Sequence, residues 1–274
     1  MLKRLIRFYV YSNLHISATA ALFVWTSFII IDISANPFYI LFIFSGTFII
    51  YSLHRIIGPD QMEQPLRSQR YLIFDVNKKV TYLILFMITF LAIWSMYNLI
   101  YIYRLYLLAP VIISLFYILP IFNKKRLRDF NFVKIFCIAA VWSFFYCIPL
   151  FISQFKDAIW VFAEKGLFIF ALCIPFDIKD NEADRSQGLR TIGNTLELRT
   201  SLTVSGILIV LCCVLILFMH NQEIYTTLQF IAILLSYACS LLLILNSRGK
   251  KEFFFLAYLD SMIALQAALI LIVV

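Results

Sequence analysis

Long apolar runs alternate with short polar segments along the whole chain. We predict nine membrane-spanning helices, because each run approaches the roughly 20 residues that are needed to cross a bilayer. Their bounds are about 16–33, 38–53, 80–100, 102–122, 132–152, 158–176, 202–219, 225–245 and 253–274. The apolar run from 80 to 122 is too long for one span, so the polar region around Asn98 and Arg104 predicts a helical hairpin.

The composition supports the same class of protein. Hydrophobic residues make up 63% of the 274 positions and the mean hydropathy is +0.92, whereas a soluble domain has roughly 45–50% apolar residues. We therefore predict an all-α integral membrane protein with nine transmembrane helices in one bundle, and residues 1–274 as a single domain. The six cysteines all lie in apolar runs and form no CxxC pair, which favours core packing over disulfides or zinc binding.

The distribution of charge predicts the orientation in the membrane. The net charge of +8 is compatible with nucleic-acid binding, but all except three of the 23 Lys and Arg residues fall on the N-terminal tail and on alternate loops. By the positive-inside rule, that side is cytoplasmic and the C-terminus lies outside. Arg104, Lys156 and Lys165 fall on the other side. We expect a multi-pass protein of a bacterial-type cytoplasmic membrane, in contact with membrane lipid and not with nucleic acid.

An acid-rich segment follows the sixth predicted helix. Asp177, Asp180 and Asp184 stand at i, i+3 and i+7, so on a helix they share one face. Such a face repels itself unless a cation neutralises it, and carboxylate oxygens suit Mg²⁺ better than zinc. The alternative is a solvated acidic loop whose charges balance Lys179, Arg185 and Arg190.

The same segment resembles a known motif. Asp177-x-x-Asp180-x-x-x-Asp184, followed by Gly188 and Thr191, looks like the second aspartate motif of the UbiA superfamily of intramembrane prenyltransferases. That family has nine helices and carries this motif in the cytoplasmic loop after helix 6, which is the position predicted here. The resemblance therefore implies a UbiA-like prenyltransferase fold.

The resemblance also implies an activity and its ligands. The expected reaction moves a prenyl group from a polyprenyl diphosphate to a small-molecule acceptor, aromatic or a quinone precursor, with Mg²⁺ as cofactor. Asp177, Asp180 and Asp184 are the implied catalytic residues and metal ligands. Tyr117 and Pro120, followed by a basic cluster, resemble the family's segment after helix 4.

The family's first motif, Asn-x-x-x-Asp-x-x-x-Asp after helix 2, is not intact in this chain. Ser52 takes the Asn position, Ile56 takes the first Asp position, and Asp60 remains as a possible metal ligand. A single carboxylate is a poor site for a strongly hydrated ion. We therefore expect one Mg²⁺ per bound diphosphate, with fixed cationic side chains in place of the second metal.

Several basic residues are candidates for binding the diphosphate, because guanidinium and ammonium groups hydrogen-bond to phosphate oxygens. The alternative is that they serve as orientation charges or contact lipid headgroups. The candidate substrate-binding residues are His54, Arg55, Arg67, Lys124, Arg126, Arg128 and Lys134.

Asp260 lies within the last predicted span, where a lone acid is costly unless it is paired or faces a wet cavity. Both interpretations stay open from the sequence.

Two other functions compete with prenyl transfer. One is a catalytically altered or inactive homologue that binds a lipid diphosphate without transferring its prenyl group. The other is a transporter, which is typically marked by broken helices and midplane charges, and of these Asp260 alone fits. P-loop, dinucleotide-binding and HExxH patterns are absent from the sequence, which excludes the common nucleotide and zinc classes.

Overall fold

A computed structural model describes residues 2–57, 78–121 and 125–274 of the chain. The first helices in this part of the chain are α1 (Leu2–Tyr11), α2 (Leu14–Ile30), α3 (Pro37–Ile57), α4 (Lys78–Asn98) and α5 (Tyr101–Ile118). A 3₁₀ turn at Leu127–Asp129 leads into the second half of the chain.

The second half begins with two long helices, α6 (Val133–Ser153) and α7 (Phe155–Lys179). Two short helices follow, α8 (Asn181–Ser186) and α9 (Ile192–Thr195). The chain ends with α10 (Leu198–Asn221), α11 (Thr227–Leu245) and α12 (Glu252–Ile272), which contains a π-helical segment at Phe255–Leu259.

The predicted membrane architecture is confirmed. Within the described residues, eight helices are long and apolar enough to span a membrane, and the bent pair of α1 and α2 gives a ninth. The predicted hairpin is also present, because α4 ends at Asn98 and α5 begins at Tyr101. The protein is therefore an integral, multi-pass membrane protein.

The chain bends by 66° between α1 and α2, a break that the sequence analysis did not predict. Asn13 adopts a left-handed conformation there, with φ 70°, which interrupts the helical path. Its side-chain amide donates a hydrogen bond of 3.0 Å to Ser52 on α3. The bend therefore fixes the start of α2 against the end of α3.

The spanning helices form a closed ring. Going round it, α2 packs on α3, α3 on α5, α5 on α6, α6 on α7, α7 on α10, α10 on α11, α11 on α12, and α12 returns to α2. Helix α2 also contacts α6 across the ring, and α4 packs on the outside of α3. Large apolar side chains of α4, including Phe86 and Phe90, point outward, as expected for a surface that faces lipid.

Polar contacts tie the helices together inside the bundle. The Ser205 hydroxyl on α10 donates a 2.6 Å hydrogen bond to the Ala171 carbonyl on α7, and the Tyr39 hydroxyl on α3 donates to the Phe145 carbonyl on α6. A small residue such as Ser205 lets membrane helices approach closely, and both hydroxyls donate to backbone carbonyls inside the bundle.

A fully buried ion pair lies within α7. The Lys165 ammonium is 3.1 Å from the Glu164 carboxylate and donates a 2.9 Å hydrogen bond to Gln266 on α12. The Tyr225 hydroxyl donates to the same Glu164 oxygen, Oε2, at 3.2 Å. Lys165 was predicted to lie on the outer side of the membrane, but the structure places it inside the bundle. Its hydrogen-bond and charge partners there compensate the free-energy cost of burying the ammonium.

We expect the substitution Lys165→Met to destabilise the bundle by about 3–5 kcal/mol, because it leaves the Glu164 carboxylate buried without its cation. The double variant Glu164→Gln/Lys165→Met should recover most of that loss, since it removes both charges. Denaturant unfolding of the purified protein measures the effect, with the exposed Lys156→Met as the matched control. If Lys165→Met is as stable as the wild type, the ion pair with Glu164 does not stabilise the bundle.

Candidate functional site

A cavity of about 240 Å³ lies at one end of the ring, and we call it the polar cavity because charged side chains stand in its otherwise largely apolar wall. Side chains from α2, α3, α5, α6, α7, α8 and α12 line it, so it is built by the tertiary fold and not by one segment. Its titratable lining residues are His15, Tyr51, His54, Arg55, Tyr117, Arg128, Lys134, Cys137, Cys173, Asp177, Lys179, Asp180, Asp184 and Asp260.

The three aspartates of the acid-rich segment converge on one lysine in this cavity. The Lys134 ammonium is 3.0 Å from Asp177 Oδ1 and 3.1 Å from Asp184 Oδ2, and Asp180 Oδ2 is 3.9 Å away. The Asp177 and Asp184 side chains are 2% and 3% exposed. Burial of these carboxylates requires a cation between them, and the first turn of α6 supplies it.

The spacing of the three aspartates predicted one continuous helix, but the structure shows a break within the acidic face. Helix α7 ends at Lys179, Asp180 is the residue between the helices, and α8 begins at Asn181. The hydrogen bonds still follow the helical spacing, because the Asp180 amide donates to the Phe176 carbonyl and the Asp184 amide donates to the Asp180 carbonyl, both at 2.9 Å. The chain therefore continues to turn through the break, and Lys134 contacts all three carboxylates.

Short helix α9 and the segment before it hold Lys134 and the aspartates in place. The Arg190 amide donates to the Asn131 side chain and the Phe132 amide donates to the Arg190 carbonyl, each at 2.9 Å. These bonds join the segment before α9 to the start of α6. Gly193 on α9 packs directly on the backbone of Asp177, so a single contact region positions both the lysine and the acids.

Other cations complete the polar end of the cavity. The Lys179 ammonium is 2.6 Å from Asp180 Oδ1, and the Arg128 guanidinium lies 5.5 Å from the centre of the Tyr117 ring. Buried Arg55 donates a hydrogen bond to the Tyr11 carbonyl at the end of α1. The cavity wall therefore carries positive side chains beside the acids. A bound polyanion would need the positive side chains, and a metal ion bound with it would need the acids.

Residues 52–56 of the degenerate first motif lie in the described region, including the buried Arg55. Ser52 is buried and accepts the hydrogen bond from Asn13, so it does not face the cavity lining. His54 lines the cavity, with its ring 6.4 Å from that of Tyr117. Three predicted site residues fall outside the described residues, namely Asp60, Arg67 and Lys124.

Arg126 is a predicted substrate-binding residue that the structure places elsewhere. Its guanidinium holds Asp129 through hydrogen bonds of 2.8–3.1 Å, and the pair borders a separate surface groove with Lys125. Burial tends to raise the pKa of Asp129, but hydrogen bonds from the Arg126 side chain and backbone outweigh it and lower that pKa. Arg126 therefore closes the 3₁₀ turn that precedes α6, and the structure does not bring it together with the acids.

Asp260 lies in the cavity wall on α12. The π-helical segment Phe255–Leu259 ends at this residue, and the Asp260 amide donates to the Phe255 carbonyl at 3.1 Å, five residues back. A π-bulge adds a residue to the turn and thereby changes the direction of the side chains that follow it. Asp260 is therefore a carboxylate of the cavity wall.

A second cavity of about 180 Å³ continues from the first and is apolar. Both cavities share Ile50, Tyr51, Ser114, Val141 and Trp142 as wall residues. The apolar chamber extends between α2, α3, α5 and α6, where Gly46 leaves open space. A ligand with a polyanionic head and an apolar tail matches this pair of cavities, although no sequence pattern marks Gly46 or Trp142 as part of them.

The donor atoms of the acidic group have the chemistry that a hard metal ion needs. Within the part of the chain that the structure describes, no three His, Cys, Asp or Glu side chains stand together in metal-binding geometry. Asp177, Asp180 and Asp184 nevertheless provide the oxygen ligands that Mg²⁺ prefers, and they already surround a cation, the Lys134 ammonium. These residues fit Mg²⁺ once the ammonium moves aside.

Solved structures of known proteins share this fold at low sequence identity. A UbiA homologue from Archaeoglobus fulgidus bound to GPP and Mg²⁺ superposes with a TM-score of 0.69 at 15% identity, over 97% of this chain and 98% of that one. A UbiA homologue from Aeropyrum pernix K1 gives 0.62 at 13% identity, over 94% of each chain. A structure of digeranylgeranylglyceryl phosphate synthase gives 0.59 at 12% identity, over 100% of this chain and 97% of that one.

The sequence by itself gives no such match, since no protein-family model and no curated protein matches this chain. At these identities the likeness establishes the fold, and the predicted fold class is confirmed.

We expect Gly193→Ala to destabilise the protein and to displace the backbone of Asp177. The added Cβ would lie 2.6 Å from the Asp177 carbonyl oxygen and 2.5 Å from the Ile178 amide nitrogen, so the backbone has to shift. Overpacking of this kind costs about 1–3 kcal/mol, which thermal unfolding will detect. The control is Gly46→Ala, whose Cβ meets nothing within 4 Å and which should leave stability unchanged or slightly raised. Equal stability of the two variants would contradict the packing role of Gly193.

Proposed function

We propose that this chain, which has the fold of the UbiA homologues, moves a prenyl group from a prenyl diphosphate to a small-molecule acceptor. One observation carries the proposal. A polar cavity with a group of acids and fixed cations opens into an apolar chamber, and the two share a wall. The diphosphate would occupy the polar cavity and the prenyl chain the apolar one. Neighbours of the same fold bound to GPP and Mg²⁺, or to DMAPP and Mg²⁺, support this ligand class.

Asp177, Asp180 and Asp184 would hold Mg²⁺ in this site. When bound, the ion supplies positive charge that stabilises the departing diphosphate. One metal per diphosphate is proposed, because Ser52 and Ile56 stand where the family's first motif has Asn and Asp.

The protein's own cations would stabilise the remaining charge. Arg128, Lys134 and Lys179 line the polar cavity and can donate hydrogen bonds to phosphate oxygens. As the bond between the prenyl carbon and the diphosphate oxygen breaks, its electron pair leaves with the diphosphate. Donors that already hold the diphosphate when this bond breaks need no further reorganisation.

The walls between the two cavities suit the other half of the reaction. Tyr51 and Trp142 line both cavities, so their ring faces would lie near an allylic carbon that gains positive charge. Asp260 is a cavity carboxylate outside the group held by Lys134, and we assign to it the proton that the acceptor loses as the new bond forms. The acceptor class that we propose is an aromatic molecule or quinone precursor, entering from the cytoplasmic side.

A second candidate function is binding of a lipid diphosphate without transfer. The replaced first motif favours it, since Ile56 cannot ligate a metal. Incubation of the purified protein with radiolabelled prenyl diphosphates and a panel of aromatic acids, with and without Mg²⁺, separates the two functions. Labelled product supports transfer, whereas saturable binding without product supports the altered homologue.

We expect Asp177→Asn to lower Mg²⁺-dependent transfer about ten- to hundredfold. The change keeps the shape of the side chain but removes a charge that is paired in the site. The same assay measures it, with Asp157→Asn at the start of α7 as a matched control that should behave as the wild type. Transfer at the wild-type rate by Asp177→Asn would rule out the assigned metal site.

The apolar chamber predicts a limit on prenyl length. In Gly46→Phe the new ring would enter open space in the chamber, so turnover of GPP should fall about tenfold more than turnover of the shorter DMAPP. Comparison of kcat/KM for the two donors measures this difference. Gly46→Ala serves as the control with a small side chain. An equal loss with both donors would place the prenyl chain elsewhere.

A further inference from the structure

Lys134 occupies the position that a metal ion would take in the acidic group. Its ammonium is 3.0, 3.1 and 3.9 Å from oxygens of Asp177, Asp184 and Asp180, and its side chain is 9% exposed. An ammonium has three N–H donors, and oxygens of Asp177 and Asp184, which Mg²⁺ would need, lie within hydrogen-bond distance of it, whereas Asp180 is in charge contact only. Lysine and metal therefore compete for the same carboxylates.

The local charges are nearly balanced without any metal. Lys134 and Lys179 stand against three carboxylates, which leaves one net negative charge. A divalent ion that entered this group would meet the Lys134 ammonium at close range in a poorly hydrated site. With Lys134 in place, one net negative charge attracts such an ion, whereas without Lys134 two would, so the ammonium weakens metal binding.

The position of Lys134 on its helix indicates that the acids hold it. It is the second residue of α6, at the positive end of the helix dipole, where a cation is disfavoured. The backbone near Lys134 is held in place, because the Phe132 amide, two residues earlier, donates a hydrogen bond to the Arg190 carbonyl. The flexible four-carbon side chain, in contrast, can move its charge by several ångströms without moving the helix.

We propose that Lys134 is a built-in counterion that keeps Mg²⁺ out of the acidic group until a diphosphate binds. The diphosphate accepts the hydrogen bonds of the ammonium, which then moves away from Asp177 and Asp184. The freed carboxylates and the phosphate oxygens together form the metal site. This inference rests on the proposed function for its ligand, but it concerns metal binding and not prenyl transfer.

Binding of Mn²⁺, which paramagnetic resonance detects as a substitute for Mg²⁺, tests the proposal without any turnover. In the absence of diphosphate, Lys134→Met should bind Mn²⁺ at least ~10-fold more tightly than the wild type, because a competing charge is removed. Lys134→Arg, which keeps the charge, and Lys156→Met, at the other end of the bundle, should match the wild type. Equal affinity of the wild type and Lys134→Met would overturn the proposal.

A measurement on the wild type covers the case in which Lys134→Met does not fold. Mg²⁺ alone should leave the melting temperature unchanged, and Mg²⁺ with inorganic pyrophosphate should raise it above the value with pyrophosphate alone. A rise with Mg²⁺ alone would contradict the counterion role. If these results hold while no prenyl transfer is detected, the proposed function fails and the inference about Lys134 stands.

Discussion

Charges inside an apolar bundle have to be paired, and this constraint organises the protein along the length of α7. Near one end of that helix, Lys134 neutralises Asp177 and Asp184, and twelve residues earlier Lys165 neutralises Glu164. The two groups are about 18 Å apart along the helix axis at 1.5 Å per residue. The first lies in a cavity wall, where we propose that it exchanges its cation for a metal ion. The second is fully buried, and there Lys165 donates to Gln266 on α12, which in turn donates to Ser236 on α11.

The cavity group depends on the local backbone as much as on its charges. The turn between α7 and α8 keeps helical hydrogen bonds through Asp180, so the carboxylates stay on one side of the chain. The absence of a Cβ at Gly193 lets α9 rest on Asp177, and bonds from Asn131 and Phe132 connect that segment to α6. Lys134 and its acids are thus held by the same small region, which explains how long polar side chains keep a defined geometry at the edge of a membrane.

The fold is shared with proteins that have only 12–15% of their residues in common with this chain. Membrane bundles tolerate such divergence in sequence, because any apolar side chain of suitable volume can pack against lipid tails and at most positions in the core. What the bundle has to preserve is a ring of helices and a polar end that leads into an apolar interior. Prenyl transfer, as proposed here, uses this contrast, since a diphosphate and its hydrocarbon chain need opposite surroundings.

The sequence by itself determined the class of protein, the number and approximate bounds of the spans, and the acidic segment. These features follow from local composition and spacing, as the hairpin at Asn98 and the positions of Asp177, Asp180 and Asp184 illustrate. Only the tertiary structure decided which cation meets which acid. Lys134 lies 43 residues from Asp177 in the chain, and Arg126 is eight residues from Lys134 but pairs with Asp129 instead. Charge pairing over such separations depends on how helices pack, and no local pattern encodes it.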